Sequence, residues 1–126
     1  MIYGIGVDLL RVERMQKAWE RHGERIARKL LSEAERERMA TRSNPVRVLA
    51  MAFAAKEAFV KALGTGFRGE IGFRDAGVLS EPSGKPVLAF SPSLQRHLAS
   101  LGIARSHLSL TDEGGMICAM VVLETA

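Results

Sequence analysis

The chain has 126 residues, of which 47% are apolar, and a net charge of +4, which indicates one folded domain over 1–126 and excludes a disordered chain. Its single cysteine, Cys118, excludes an intrachain disulfide and favours a reducing compartment. The longest apolar run, 116–123, is far shorter than the ~20 residues that span a bilayer. The first residues carry no signal-peptide pattern, so we expect a cytoplasmic protein without membrane contact.

The excess positive charge lies in one segment. Residues 11–47 hold 11 Lys/Arg against 6 Asp/Glu, whereas the rest of the chain holds 7 against 8. Such a segment attracts nucleic acid, anionic lipid or an acidic protein, or is only a solvated helical face. Composition alone slightly favours the solvated face.

The first predicted element is a strand over 2–8, where residues of two faces alternate. One of its faces carries Gly4, Gly6 and Asp8. Glycine on a strand face permits the close approach of another backbone or of a ligand.

Helices are predicted over the next stretch. Their start and stop signals are Gly23 as an interruption of 11–31, the capping-box pair Ser32 and Glu35, and Asn44-Pro45 and Gly64 at the ends of a helix over 45–63. That last helix is apolar almost all round, so we expect it to be buried on most sides.

The second half of the chain is mostly strand-like. The predicted elements are strands over 71–80 and 86–90, a helix from Ser91-Pro92 to Gly102, and strands over 106–111 and 116–124 joined by Gly114-Gly115. Because helices and strands are partly segregated, the order predicts an α+β fold with a mainly antiparallel sheet packed against the long buried helix.

Three charges interrupt the apolar core of this helix, MAFAAKEAFVKAL at 51–63, namely Lys56, Glu57 and Lys61. At about 100° per residue they span an arc of roughly 140°. Glu57 and Lys61 are four residues apart, so the spacing alone favours an ion pair on one exposed stripe.

Asp8 ends the first predicted strand and is either a cap of the next element or a metal ligand. Mg²⁺ typically takes one or two protein carboxylates and fills its other positions with phosphate oxygens and water. Asp8 together with Glu57 would form such a pair.

The loop Gly64-Thr65-Gly66 follows the same helix and is either a helix C-cap with a turn or a cradle for phosphate. Spacing alone favours the C-cap. Because the dipole at a helix C-terminus disfavours an anion, Lys61 and a metal would have to supply the positive charge.

Two sequence stretches, taken together, identify a protein family more specifically than the spacing of single residues does. IYGIGVDLLRVERM at 2–15 and FAAKEAFVKALGTG at 53–66 closely resemble the paired signature of the holo-acyl-carrier-protein synthases, the short bacterial members of the 4′-phosphopantetheinyl transferase superfamily. The Ser-Gly-Lys-Pro turn at 83–86 and HLSLTDE at 107–113 also match. The resemblance covers nearly the whole chain and implies the fold of that family and a cyclic homotrimer with sites between subunits.

The resemblance also implies a role for individual residues. Asp8 and Glu57 would bind Mg²⁺, and Lys61 would contact a phosphate of coenzyme A at the reaction centre. The other implied coenzyme A contacts are Gly64, Thr65, Gly66, Gly84, Lys85, Pro86, Ser109 and Thr111. Some members of the family have Thr-His where this chain has Thr111-Asp112, so a histidine contact to coenzyme A is in doubt here.

The implied activity transfers 4′-phosphopantetheine from coenzyme A to a serine of an apo-acyl carrier protein of fatty acid synthesis and releases adenosine 3′,5′-bisphosphate. The basic segment would bind the acidic carrier, through the helically spaced Arg14, Arg21, Arg25 and Arg28. One alternative is a transferase for polyketide or peptide carriers, although such enzymes usually fuse two halves. The other is a basic nucleic-acid-binding module, which the few aromatic residues and the missing RNA- or DNA-binding signature disfavour.

Overall fold

The structure is a computed structural model that describes residues 1–67 and 71–126. Its elements, in chain order, are β1 Ile2–Arg11, α1 Val12–His22, α2 Glu24–Leu30, α3 Glu33–Ala40, α4 Pro45–Leu63, a 3₁₀ turn Phe73–Asp75, β2 Ala76–Ser80, β3 Pro86–Phe90, α5 Pro92–Ser100, β4 Ile103–Glu113 and β5 Met116–Thr125. Within these described ranges, no helix combines the length and the apolar character needed to cross a bilayer.

Two antiparallel sheets and one central helix organise the chain. β1, β5 and β4 form a three-stranded sheet in that order, and β2 pairs with β3. The long helix α4 packs mainly on β1 and β5. The predicted α+β fold, with an antiparallel sheet against a buried helix, is confirmed.

The boundaries of α4 agree with their sequence signals. The Asn44 side chain accepts a hydrogen bond from the Arg47 N–H at 3.1 Å, and Gly64 ends the helix with a φ of 83°. The predicted capping box of α3 is also present, because Ser32 and Glu35 each accept the other's backbone N–H. Local signals therefore determine where these helices start and stop.

The predicted interruption of the helix over 11–31 at Gly23 is confirmed, because Gly23 adopts a φ of 55° that divides the segment into α1 and α2. The predicted strand over 2–8 continues to Arg11, so Asp8 lies within β1 and does not end it, and the strand over 71–80 begins only at Ala76. Before it, the Asp75 carboxylate accepts the Gly72 N–H at 2.8 Å and the Ser91 hydroxyl at 2.7 Å, which folds residues 73–75 into a 3₁₀ turn.

The contact between β1 and α4 is made by backbone. A Cβ on Gly4 would lie 1.9 Å from the Ala62 carbonyl oxygen, and one on Gly6 would lie 1.8 Å from that of Ala58. Only glycine allows the strand to approach the helix this closely. Of the two predicted roles of these glycines, the structure therefore shows the close approach of another backbone, that of α4. Asp8 lies two residues further along the same face of β1, so it also faces α4.

Candidate active site

Asp8 and Lys61 meet where β1 crosses α4. The Lys61 ammonium donates hydrogen bonds to the Val7 carbonyl oxygen at 3.0 Å and to Asp8 Oδ1 at 3.2 Å. The Asp8 side chain is only 15% exposed, whereas that of Lys61 is 54% exposed. A sheltered carboxylate therefore lies beside a cation that is free to move into solvent.

The three charges in the apolar core of α4 do not share one exposed stripe. Lys56 is fully buried, Glu57 is half-buried and Lys61 is exposed. Among the described residues, the acidic partner of Lys61 is Asp8 rather than Glu57. The predicted Glu57–Lys61 ion pair is wrong, because the strand presents a carboxylate to the lysine from the other side.

Asp8 and Glu57 supply oxygen ligands of the kind that Mg²⁺ takes. The described part of the chain contains no group of three or more His, Cys, Asp or Glu side chains placed to hold a metal. A cation here would accordingly take two carboxylates and receive its remaining oxygens from substrate and water, which is the usual arrangement for Mg²⁺. The residues present fit such an ion.

A cleft of about 470 Å³ lies on the same side of the sheet as α4. Its walls come from α3, the first half of α4, β2, the β2–β3 turn and β4. They include Gly84 and Pro86, two of the coenzyme A contacts that the family resemblance implies. Lys85 is exposed in the same turn. Leu110, which lines the cleft, aligns with Ala119 and then with Asp8 across the sheet.

Three arginines line this cleft, and the sequence prediction missed all of them. Arg38 donates hydrogen bonds to the Val78 carbonyl oxygen and to the Ser80 hydroxyl. Arg42 is exposed, and its side chain has no ion-pair partner among the described residues. Their only sequence signal was the charge excess of 11–47, which did not show that these arginines face the β2–β3 turn.

The third arginine, Arg47, is paired with Asp112. Its Nε and Nη2 atoms donate to the two carboxylate oxygens at 3.0 and 3.1 Å, in a bidentate arrangement. Bidentate pairs of this kind hold a guanidinium in one orientation. Asp112, the residue in place of the family's histidine, therefore contacts a wall of the cleft through Arg47.

Ser109 and Thr111 lie on the other face of the three-stranded sheet. Ser109 is opposite Met120, which is opposite Val7, and these positions point away from α4. Val7 and Met120 are 50% and 42% exposed. Within one chain, the sheet therefore separates these two predicted coenzyme A contacts from Asp8.

The remaining predicted residues lie at two other places. Gly64, Thr65 and Gly66 follow the C-terminal end of α4, about 18 Å along the helix from the cleft wall at Ala52. The four predicted carrier contacts are all exposed, with Arg14 and Arg21 on α1 and Arg25 and Arg28 on α2. They do not form one continuous helical stripe, because Gly23 separates the two helices.

Comparison with known proteins assigns the chain to one enzyme family. The sequence profile of the 4′-phosphopantetheinyl transferase superfamily matches residues 4–116. The chain belongs to this superfamily.

Individual relatives are more specific. The chain is 44% identical over 124 residues to the holo-[acyl-carrier-protein] synthase of Nitrosospira multiformis, covering 98% of this chain and 99% of the relative. It is 46% identical over 125 residues to the protein of the same name from Nitratidesulfovibrio vulgaris, covering 99% and 100%.

Solved structures resemble the whole chain. The crystal structure of holo-[acyl-carrier-protein] synthase from Neisseria meningitidis has a TM-score of 0.95 and 40% identity, covering 99% of this chain and all of that one. The synthase from Bacillus anthracis, solved in complex with CoA (3′,5′-ADP), has a TM-score of 0.82 and 32% identity, covering 100% and 99%.

Proposed function

We propose that the chain transfers 4′-phosphopantetheine from coenzyme A to a serine of apo-acyl carrier protein, giving holo-acyl carrier protein and adenosine 3′,5′-bisphosphate. The observation that carries the proposal is the sheltered Asp8 carboxylate, 3.2 Å from Lys61 and on the strand face that α4 covers. Full-length similarity to synthases of this name supports the same reaction.

Asp8 and Glu57 would hold Mg²⁺, which would supply charge that neutralises the pyrophosphate oxygens. Lys61 would leave Asp8 and offset charge on the transferring phosphoryl group, because its exposed ammonium can turn toward solvent. Positioning and charge neutralisation account for most of the catalysis in phosphoryl-type transfers. The proton of the carrier serine would pass to Glu57 or to water, because an ammonium at Lys61 has no lone pair to accept it.

The arginine-lined cleft would receive the nucleotide end of coenzyme A. Arg38 is engaged by Val78 and Ser80, and Arg47 by Asp112. Arg42 is thus the cleft arginine with its charge available for a phosphate. The loop at Thr65, beyond Lys61 on α4, would contact the pyrophosphate from the other end of the helix.

Loading of apo-carriers tests the activity and the choice of carrier together. The chain, coenzyme A and Mg²⁺ are incubated with a fatty-acid, a polyketide or a peptide carrier, and each carrier is weighed by mass spectrometry. We expect the fatty-acid carrier to gain phosphopantetheine fastest. Faster loading of the peptide or polyketide carrier would assign the chain to the alternative transferase class.

The exposed arginines of α1 and α2 would bind the acidic carrier. We expect Arg14→Glu and Arg21→Glu to raise the KM for the carrier about tenfold or more while leaving the KM for coenzyme A unchanged, because complementary charge acts largely on the encounter rate. The difference should shrink as salt is added. Arg96→Glu, an exposed cation on α5, is the matched charge control, and a change confined to coenzyme A kinetics would refute carrier docking at α1.

A cyclic homotrimer would cover the outer face of the three-stranded sheet. Apolar side chains dominate its β1 side, with Ile5, Val7 and Leu9 52%, 50% and 65% exposed. Such a patch marks an interaction surface. On β4, Ser109 and Thr111 belong to the same face, and a site between subunits would combine them with the Asp8 and Lys61 of a neighbour.

Mixed oligomers test this arrangement. We expect Asp8→Ala and Ser109→Glu chains each to be inactive and their reassembled mixture to regain activity at about a quarter of the sites, as random assortment across a cyclic interface requires. Light scattering checks the trimer. A monomer with full activity, or a mixture without any recovery, would contradict sites shared between subunits.

A further inference from the structure

Lys56 is the only cation of α4 that lies wholly inside the protein, among the residues described. Its side chain is 0% exposed, and its ammonium donates to the Leu30 carbonyl oxygen at 2.5 Å, to Glu35 Oε1 at 2.6 Å and to the Phe73 carbonyl oxygen at 2.8 Å. An ammonium has three N–H donors, so all of them are used. Each acceptor belongs to a different segment around α4.

Glu35 extends this network to two further backbone groups. Its Oε1 atom accepts the Ser32 N–H at 2.9 Å, and its Oε2 atom accepts the Val78 N–H at 3.0 Å. The carboxylate is 2% exposed and also lines the arginine cleft. Burial lowers the pKa of Lys56, while the charge and the hydrogen bond of Glu35 oppose that shift.

A buried ion pair of this kind is a poor source of net stability. The desolvation of both charges offsets most of their attraction, and well-packed apolar residues often do as well. The three directional hydrogen bonds of Lys56 instead fix the orientation of the helix that carries it. The network therefore defines where α4 stands relative to its surroundings.

The face of α4 that meets β1 provides little of this orientation. It contacts the strand through Ala58 and Ala62 against Gly4 and Gly6. Small side chains form shallow ridges, which resist rotation of a helix less than large interlocking ones. The helix also buries large apolar side chains, whose contacts lack the direction of a hydrogen bond: Val46, Leu49, Phe59 and Leu63.

Lys61 cannot hold the helix during the reaction. In the proposed function, on which this inference rests, Asp8 turns its carboxylate to a divalent cation and Lys61 turns to a phosphate. The Lys61–Asp8 contact is then lost. Arg47 contacts Asp112 near the other end of α4, where both side chains are exposed. The anchor beside Glu57 that stays in place is Lys56.

We propose that Lys56 is a positioning residue: its buried bonds to Glu35, Leu30 and Phe73 fix the rotation of α4 and so hold the Glu57 carboxylate at the right distance from Asp8. Lys56 touches no substrate. Through Leu30, the last residue of α2, the same ammonium ties the catalytic helix to the helices that carry the arginines proposed to bind the carrier.

A restabilised double variant separates positioning from stability. Lys56→Met removes the ammonium at similar length and leaves Glu35 buried without its cation, so it should destabilise the fold. Adding Glu35→Gln removes the uncompensated charge and keeps an acceptor for the Ser32 N–H. We expect K56M/E35Q to recover most of the thermal stability that K56M loses.

Function should not recover with stability. For K56M/E35Q we expect a kcat roughly 10- to 100-fold below wild type, the cost of a small misplacement of a catalytic group, with the carrier KM nearly unchanged. Mn²⁺ binding without substrate, measured by calorimetry, should weaken about tenfold. Leu94→Ala on α5, a fully buried position away from the network, is the stability control and should keep both values.

Recovery of kcat and Mn²⁺ affinity along with stability would overturn the proposal and leave Lys56 a purely structural residue. So would a Leu94→Ala chain that shows the same losses. If the wild-type chain fails to load a carrier, the proposed function fails. The Mn²⁺ affinities of the wild type and the double variant still decide the role of Lys56 in that case.

Discussion

An Asp8→Asn chain is expected to load apo-carrier at least about a thousandfold more slowly than wild type, a loss on the order of 4 kcal/mol of transition-state stabilisation. The change keeps the size of the side chain and removes the charge that would bind Mg²⁺. Glu57→Gln should have a comparable effect, because two carboxylates must share one cation. Rates are measured by mass spectrometry of the carrier under saturating coenzyme A.

The fold should survive the loss of Asp8. Its partner Lys61 is 54% exposed and is left in contact with water, so the free energy of unfolding should change by less than about 1 kcal/mol. Glu124→Gln removes another partly buried carboxylate that pairs with a cation, Arg105, outside the cleft and outside α4, and is the matched control, expected to keep kcat. Unfolding of Asp8→Asn comparable to that of a core truncation would show instead that Asp8 is a structural ion-pair residue.

Gly6→Ala is expected to lower the free energy of unfolding by about 3 kcal/mol or more, at the severe end for a single methyl group. The new Cβ would lie 1.8 Å from the Ala58 carbonyl oxygen and 2.7 Å from the Ala62 backbone nitrogen. Both are main-chain atoms, so β1 must move away from α4. That movement would also shift Asp8 away from Glu57, and activity should fall in the fraction that still folds.

Gly72→Ala is the matched control for this substitution. Gly72 has a φ of −148°, which any residue adopts, and a Cβ there meets no atom of the described residues within 4 Å. Its unfolding free energy should change by less than about 1 kcal/mol. Urea unfolding of both variants at one protein concentration makes the comparison. Equal stability of Gly6→Ala and wild type would contradict the backbone contact between β1 and α4.

The sequence predicted the parts of the fold that local chemistry controls. Asn44 and Gly64 limit α4 because a cap and a left-handed glycine act on neighbouring residues. The glycines of β1 predicted that another group approaches this strand closely, but not that the group is the backbone of α4. Asp8 and Glu57 stood out because carboxylates next to buried elements are chemically unusual, and the motif resemblance then connected them.

Contacts between distant segments could not be predicted in this way. Helical spacing placed Lys56 on an exposed stripe, yet its acceptors come from Leu30, Glu35 and Phe73, which only the folded chain brings together. Lys61 likewise pairs with Asp8, which is 53 residues away in the chain, and not with its helical neighbour Glu57.

The alternation of β4 predicts that Ser109 and Thr111 share its polar face, but not which face of β1 lies on the same side. Pairing with β5 decides that they lie with Val7 and Met120, away from α4. The pattern of β1 is misleading here, because its apolar face is the exposed one. This separation is the physical reason for proposing sites between subunits.

The measurement that tests the central claim most directly counts both products of one reaction. The chain is incubated with apo-acyl carrier protein, coenzyme A and Mg²⁺, and holo-carrier and adenosine 3′,5′-bisphosphate are quantified in the same samples. Equal amounts of the two are predicted, with neither formed when EDTA is present or when the carrier serine is alanine. Release of the nucleotide without modification of the carrier, or an unmodified carrier under all conditions, would contradict the transfer.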